Sequence, residues 1–163
     1  MELEDDHFFK YLFMVVGPCI RGFLNCIRPV IIMDGTFLKN KYQGQLIVSV
    51  CLDGNNQIYP LAFGLVDRET DNSIQLFLEK LKGAIGEVSN LGFMTDRKIC
   101  FSKGISSGFP PAFHDLYVQH LTQNLHNKYK NDMVATLFYN ASRTYHESTF
   151  LEAWRSILAF LMV

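Results

Sequence analysis

The sequence lacks the charge surplus that marks most autonomous nucleic-acid-binding domains. Its 15 Lys and Arg stand against 16 Asp and Glu, which leaves a net charge of −1. Phosphate contacts by Lys and Arg supply most of the affinity of such domains for DNA or RNA. We therefore expect any contact of this chain with DNA to be weak, or to depend on domains outside this sequence.

Metal-binding cysteine spacings and membrane segments are missing as well. The four cysteines form no C-x-x-C or C-x-H pair, which leaves no readable zinc finger or disulfide framework. Cys51 and Cys100 have apolar neighbours, as buried free thiols do in a reducing compartment. The acidic start MELEDD is unlike a secretory signal. The apolar stretch 11–20 is about half as long as a bilayer span, so we expect no membrane partner.

The sequence contains no internal repeat, low-complexity tract or flexible linker that would divide it into parts. Its 163 residues suffice for one domain with a sizeable core. Hydrophobic residues make up 48% of the chain and include 14 Phe, a composition that excludes a disordered protein. The sequence stops on the apolar residues FLMV without a polar tail. We interpret this ending as that of a truncated piece.

Apolar runs with the composition of strands cover residues 30–33, 46–52, 58–66 and 91–94. The second and third runs are separated by DGNN, a strong turn sequence, and predict a hairpin. Pro60 within the third run indicates an edge strand or a bulge. A fifth short strand is expected over 113–118.

Helical periodicity follows the hairpin. One apolar stripe runs from Ile74 to Ile85, with Asp71 or Asn72 as the expected N-terminal cap and Gly86 at the end. Further helices are expected over 97–107 and 120–130. A last helix is expected to begin at a capping box of Thr149 and Glu152.

This order of elements predicts an α/β fold. An antiparallel hairpin followed by βα units implies a mixed sheet with flanking helices. Residues 1–27 read as a lead-in with one short helix, residues 28–131 as the core, and residues 132–163 as the start of a helical insertion.

Two acids occupy equivalent places, since Asp34 and Asp96 each follow a strand that reads as buried. Ligand sites of open α/β sheets lie outside the carboxyl ends of the strands, where two carboxylates could share a Mg²⁺ or Mn²⁺ ion. Asp is equally at home in turns and helix caps. Spacing alone therefore leaves both readings open.

Several longer motifs resemble one family in order and in spacing. Residues 28–39, RPVIIMDGTFLK, resemble the opening strand of Mutator-like element (MULE) plant transposases, RPVxxxDGTxLK. LDGNNQIYPLAF, FMTDR and HLTQNL at 52–63, 93–97 and 120–125 resemble the segments LDxNNQIxPLAF, FxSDR and HLxxNL of that family. The likeness extends from about residue 9 to the end of the chain.

This resemblance implies a ribonuclease-H-like fold and metal-dependent DNA strand cutting and joining of the DDE type, as in DNA transposition. By position, Asp34 and Asp96 would be the first two catalytic acids and ligands of Mg²⁺ or Mn²⁺. It also implies a nuclear location. Lys39, Lys41, Arg97, Lys98 and Lys103 could face DNA phosphates in an intact enzyme.

The sequence departs from the family pattern at three kinds of position. His120 is kept, but Tyr117 stands where the family has the Cys of a Cys-x-x-His pair, and Tyr cannot replace a thiolate ligand. The spacing of His114, His120 and His126 does not bring them to one helix face, so they do not predict a metal site either. Ile74 and Leu76 replace aromatic residues of the family. The third acid, a Glu, is expected beyond Val163, since Glu147 and Glu152 read as a cap and a solvated face. We therefore expect no turnover by this chain alone.

Two other functions stay open. A transposase-derived module could bind DNA or protein without catalysis, and the apolar stripe over 150–161 could mediate self-association or contact a partner. A ribonuclease-H-like nuclease of another kind would need more acids near Asp34 and Asp96. Asp53, Asp67 and Glu69 are the candidates, but they read as loop residues out of reach of a shared metal.

Overall fold

The computed structural model of the protein describes residues 2–3, 9–39 and 44–161. Its strands are β1 (Glu2–Leu3), β2 (Phe9–Val15), β3 (Val30–Phe37), β4 (Gln45–Leu52), β5 (Ile58–Val66), β6 (Gly92–Thr95) and β7 (Phe113–Leu116). Its helices are α1 (Gly17–Cys26), α2 (Asp71–Ile85), α3 (Ile99–Gly108), α4 (Val118–Tyr129), α5 (Asp132–Ala141) and α6 (Glu147–Leu161). The predicted α/β class is confirmed.

The strands form one mixed sheet in the order β1-β2-β5-β4-β3-β6-β7. β3 pairs antiparallel with β4 on one side and parallel with β6 on the other. β3 is an inner strand of the sheet and is buried on the face of Ile31 and Met33, which are 0% and 1% exposed. The predicted switch from a hairpin to βα units takes place at this strand.

The predicted hairpin is formed by β4 and β5, which pair antiparallel from Gln45↔Val66 to Leu52↔Ile58. Its turn is held by the Asp53 carboxylate, which accepts hydrogen bonds from the backbone N–H groups of Asn55 and Gln57 at 2.8 Å. The register shifts between Ser49 and Val50, opposite Pro60. Pro60 therefore lies at a bulge, one of its two predicted settings.

Helix α2 carries the predicted stripe, and Ile74, Phe77, Leu78, Leu81 and Ile85 are all buried. The prediction of its cap is wrong. Thr70 is the N-cap, and its side chain accepts from Ser73 N–H while the Ser73 hydroxyl accepts from Thr70 N–H. This reciprocal pair satisfies two backbone donors at once, which neither Asp71 nor Asn72 can do from inside the helix.

The segment before β3 contributes more to the fold than a lead-in with one helix. Helix α1 is the expected one, but strand β2 was not predicted. It pairs antiparallel with β5, from Tyr11↔Val66 to Val15↔Ala62. Phe13 of β2 packs edge-on against Phe77, with the ring centroids 5.2 Å apart.

Contacts within the chain divide it into residues 1–115 and residues 116–163. The second unit contains α4, α5 and α6. Helix α6 begins at Glu147, so Thr149 and Glu152 lie inside the helix and the predicted capping box is wrong. Phe150 and Trp154 stack with centroids 6.2 Å apart, and both remain about two-fifths exposed.

Within the described ranges, no helix is both long and apolar enough to cross a membrane.

Candidate functional site

Asp34 lies within β3, at its exposed surface. Its carboxylate Oδ1 accepts a hydrogen bond of 2.9 Å from the backbone N–H of Gly35. This contact orients the side chain at the point where β3 continues past its pairing with β6, whose last matched pair is Ile32 with Met94. Asp34 is therefore two residues beyond that pair.

Asp96 directly follows β6 and precedes α3, and it is also two residues beyond the pair of Ile32 with Met94. Its side chain is 16% exposed. The backbone N–H of Lys98 donates to its Oδ1 at 3.0 Å. One carboxylate oxygen is thus fixed by the turn that starts α3.

The alternation of burial along β3 and β6 assigns a face of the sheet to Asp34. Ile31 and Met33 of β3 and Phe93 and Thr95 of β6 are buried. The residues between them, Ile32 and Met94, line one groove on the opposite face. Following this alternation, Asp34 lies on the face of Ile32 and Met94. Asp96 lies beyond the end of β6, in the turn before α3, where the alternation no longer applies.

Lys98 joins Asp96 to another acid. Its ammonium Nζ forms an ion pair with Glu69 Oε2 and lies 3.6 Å from Asp96 Oδ2. Burial lowers the pKa of Lys98, but the hydrogen bond and charge of Glu69 and the charge of Asp96 outweigh it and raise the pKa above its ordinary value. The three side chains form one charged cluster at the carboxyl end of β6.

Glu69, in the loop between β5 and α2, has a side chain only 4% exposed. The sequence predicts that Glu69 lies in a loop, too far from Asp34 and Asp96 to share a metal ion with them. The loop assignment is confirmed. Among the residues that the structure describes, no three His, Cys, Asp or Glu side chains come close enough together to hold a metal ion as they stand. The ammonium of Lys98 lies between two of the acids.

Behind Asp96, a buried hydroxyl supports the strand end. Thr95 is 0% exposed, and its Oγ1 donates to the backbone carbonyl of Asp96 at 2.8 Å and lies 2.9 Å from His114 Nε2. A hydroxyl has one hydrogen. Both contacts are therefore hydrogen bonds together only if His114 Nε2 carries a hydrogen and donates it. Desolvation lowers the pKa of His114 despite the nearby charge of Asp115, which favours this neutral form.

The other basic candidates have varied surroundings. Lys103 Nζ forms an ion pair of 2.6 Å with Asp71, and Arg97 and Lys39 are exposed. Lys41 lies outside the described residues. Asp53 is engaged in the hairpin turn, and the Asp67 carboxylate accepts from Arg68 N–H at 2.7 Å.

In the unit of residues 116–163, the remaining acids are exposed, whereas His120 and His126 are half-buried. His126 Nδ1 lies 2.8 Å from Asp132 Oδ1, and the ring of His120 lies 5.6 Å from that of Tyr117. Glu147 and Glu152 are exposed on α6, which agrees with the expected solvated face. The interpretation of Glu152 as part of a capping box is wrong, because it lies inside the helix.

Comparison with known proteins supplies the family. No curated protein matches the chain. The family model of the MULE transposase domain matches residues 30–124, more than half of the chain, and so spans both Asp34 and Asp96. The chain belongs to the MULE transposase family.

Proposed function

We propose that the sheet of residues 1–115 is a ribonuclease-H-like core. Three antiparallel strands, β5-β4-β3, are followed by βα units on the other side of β3. This arrangement places the end of β6 beside β3, where such a core would carry its acids. The strand order supports the fold that the motif resemblance implied.

Within this core, we propose that Asp34 and Asp96 are the ligands of a Mg²⁺ or Mn²⁺ ion used in phosphodiester cutting and joining. The observation that supports the proposal is the parallel pairing of β3 and β6, in which Asp34 and Asp96 each follow the pair Ile32 and Met94 by two residues. Carboxylate oxygens are the donors that these hard cations prefer. When bound, the ion would polarise a phosphate oxygen and activate the attacking group.

The residues of the chain would orient these ligands. Gly35 N–H fixes one oxygen of Asp34, and Lys98 N–H fixes one oxygen of Asp96. The hydrogen bond from Thr95 to the Asp96 carbonyl holds the backbone at the same point. The other oxygen of Asp96 lies 3.6 Å from the Lys98 ammonium.

Turnover by the 163-residue chain is not expected. We assign no third catalytic acid to the proposed pair. Glu147 and Glu152, the candidates by sequence, belong to α6 in the unit of residues 116–163. Catalytic groups act as a unit, and loss of one costs orders of magnitude in rate. We propose that this stretch binds a divalent ion but does not cut DNA alone.

Calorimetric titration with Mn²⁺ tests the metal site. We expect Asp34→Asn and Asp96→Asn each to weaken binding at least about tenfold, which corresponds to about 1.4 kcal/mol. Glu79→Gln removes an exposed carboxylate of α2 and serves as the control, with unchanged binding. Equal binding by wild type and both Asn variants would show that the ion, if it binds, is held elsewhere.

Plasmid nicking with Mn²⁺ tests the proposed inactivity separately. We expect supercoiled DNA to stay intact at any protein concentration that remains soluble. Nicking that disappears in Asp34→Asn would overturn the inactivity while supporting the metal site. A gel shift at physiological salt is expected only above micromolar protein, because the chain has no basic surplus.

A further inference from the structure

Helix α6 carries a row of large apolar side chains that stay partly in solvent. Phe150, Leu151, Trp154 and Leu158 follow one another at spacings of three and four residues, so they share one face of the helix. Each is about two-fifths exposed. Helix α6 contacts α5, but Ile157 is its only buried residue among those whose side chains are described. We call the four exposed residues the α6 stripe.

Two aromatic rings of the α6 stripe are already arranged for contact with another surface. The rings of Phe150 and Trp154 are nearly parallel, with 12° between their planes and 6.2 Å between their centroids. Covering such a stacked pair costs less side-chain freedom than covering two independent side chains. Trp and Phe are also enriched in the interfaces between proteins. The α6 stripe therefore has the composition and the order of a protein contact surface.

The charged residues beside the α6 stripe favour a second copy of the same helix as its partner. Glu147 precedes Leu151 by four residues and lies at the amino end of the stripe, while Arg155 follows Leu151 by four residues and lies along its edge. Both side chains are exposed, and neither forms an ion pair with any other described residue. In an antiparallel pair of α6 helices, each Arg155 comes beside the Glu147 of the other copy. A parallel pair would instead set like charges and like helix ends against each other.

We propose that the α6 stripe is the contact between two copies of this chain, which pair with their α6 helices antiparallel. The same patch serves both copies, so the contact is symmetric and closes at two chains. Four side chains per copy make a small interface, which belongs to the weak class. We expect half of the chains to be paired at a concentration on the order of 10–100 µM. The inference does not depend on a metal ion at Asp34 and Asp96.

Intrinsic fluorescence reports on this contact directly, because Trp154 is the only tryptophan in the chain. Pairing covers its indole ring, so the emission maximum should move to shorter wavelength as the protein concentration rises from about 1 to about 300 µM. Sedimentation equilibrium over the same range should show the mass rising from one chain to two. Pairing without a change in emission would place the contact elsewhere and overturn the inference.

A charge in the middle of the α6 stripe tests the apolar part of the contact. Trp154→Glu is expected to weaken pairing by at least about tenfold, since an interface of this size depends on its central aromatic residue. Leu24→Glu is the matched control, because Leu24 is an exposed apolar residue of another helix, α1, and should leave pairing unchanged. Pairing of Trp154→Glu at the wild-type concentration would overturn the inference.

Reversal of the two charges tests the antiparallel arrangement without changing the apolar surface. Glu147→Arg and Arg155→Glu should each weaken pairing on the order of tenfold, because both symmetric ion pairs become repulsive. The variant with both reversals should pair like the wild type. Because both residues are exposed, folding is not at stake in these variants.

Two results would contradict the proposal at this level. Single reversals without effect, or a double reversal that does not recover, would refute the antiparallel pairing. Single chains at every soluble concentration of the wild type would refute pairing altogether and leave the α6 stripe to a different protein. Neither result bears on Mn²⁺ binding by Asp34 and Asp96, which the titrations above measure separately.

Discussion

Replacing Thr95 by Val tests whether a buried hydroxyl supports the end of β6. Val keeps the branched shape but removes Oγ1, which lies 2.8 Å from the Asp96 carbonyl oxygen and 2.9 Å from His114 Nε2. Thr95 is 0% exposed, so water does not replace either partner at that position without rearrangement.

The size of the effect follows from two opposing contributions. Losing two hydrogen bonds in a buried place costs about 1–3 kcal/mol in total. The additional buried methyl group returns about 0.8 kcal/mol. From the middle of the first range, about 2 kcal/mol, we expect a net loss of about 1 kcal/mol, and a fall in melting temperature of about 2–4 °C for a chain of this size.

Urea denaturation and NMR of the His114 ring measure the two consequences. Thr95→Ser keeps the hydroxyl and serves as the control. It loses a buried methyl group, so it is also destabilised, but it should retain the hydrogen on Nε2 of His114. In Thr95→Val the Nε2–H group loses its acceptor, so the chemical shifts of Nε2 and of its hydrogen should change.

The reasoning would be refuted if Thr95→Val matched the wild type in stability within about 0.5 kcal/mol, the usual range of surface substitutions. Unchanged chemical shifts of His114 Nε2 and its hydrogen in that variant would contradict the hydrogen-bond assignment independently. A change of tautomer in Thr95→Ser would show that packing, not the hydroxyl, sets the ring.

Three further predictions concern other parts of residues 1–115. A Cβ on Gly64 would lie 2.6 Å from the ring of the buried Phe77. Gly64→Ala should therefore lower the free energy of unfolding measured in urea by about 1–3 kcal/mol. A Cβ on Gly83 of α2 would meet open space, so Gly83→Ala should raise that free energy by up to about 1 kcal/mol. The pKa of His114 is lowered from 6.5 on folding, so its contribution to stability is present above pH 6.5 and is lost as the pH falls through the folded pKa. His114→Gln should remove that part of the pH dependence of the urea midpoint. Burial, with the neighbouring charges, raises the pKa of Cys51 to about 11, so iodoacetamide at pH 8 should alkylate the exposed Cys26 and spare Cys51, as mass spectrometry would show.

The hairpin and helix α2 could be predicted because their signals are local. DGNN supplies the turn chemistry between two β-rich runs, and Asn56 indeed has a positive φ of 59°. The stripe from Ile74 to Ile85 has one period and one buried face. In both elements, neighbours in sequence carry most of the information.

Strand β2 was not predicted because its sequence lacks the alternation of polar and apolar residues that is typical of a strand. Its residues are mostly apolar on both faces, although Leu12 and Met14 are exposed and Tyr11 is buried. No alternation of polar and apolar residues marks the strand, and its partner β5 lies about fifty residues later. The cap of α2 failed for another reason. Thr70, Asp71 and Asn72 are all suitable caps, and only the Ser73 hydroxyl, acting back on Thr70, decides among them.

The candidate site also combines residues with a local sequence signal and residues without one. Asp34 and Asp96 could be singled out because each ends an apolar run, and in the parallel pairing of β3 with β6 each lies two residues beyond the pair Ile32 and Met94. Glu69 carries no such signal, since its position depends on how one loop folds over Gly35. From the sequence, Lys98 could face a DNA phosphate, but its ammonium pairs with the carboxylates of Glu69 and Asp96.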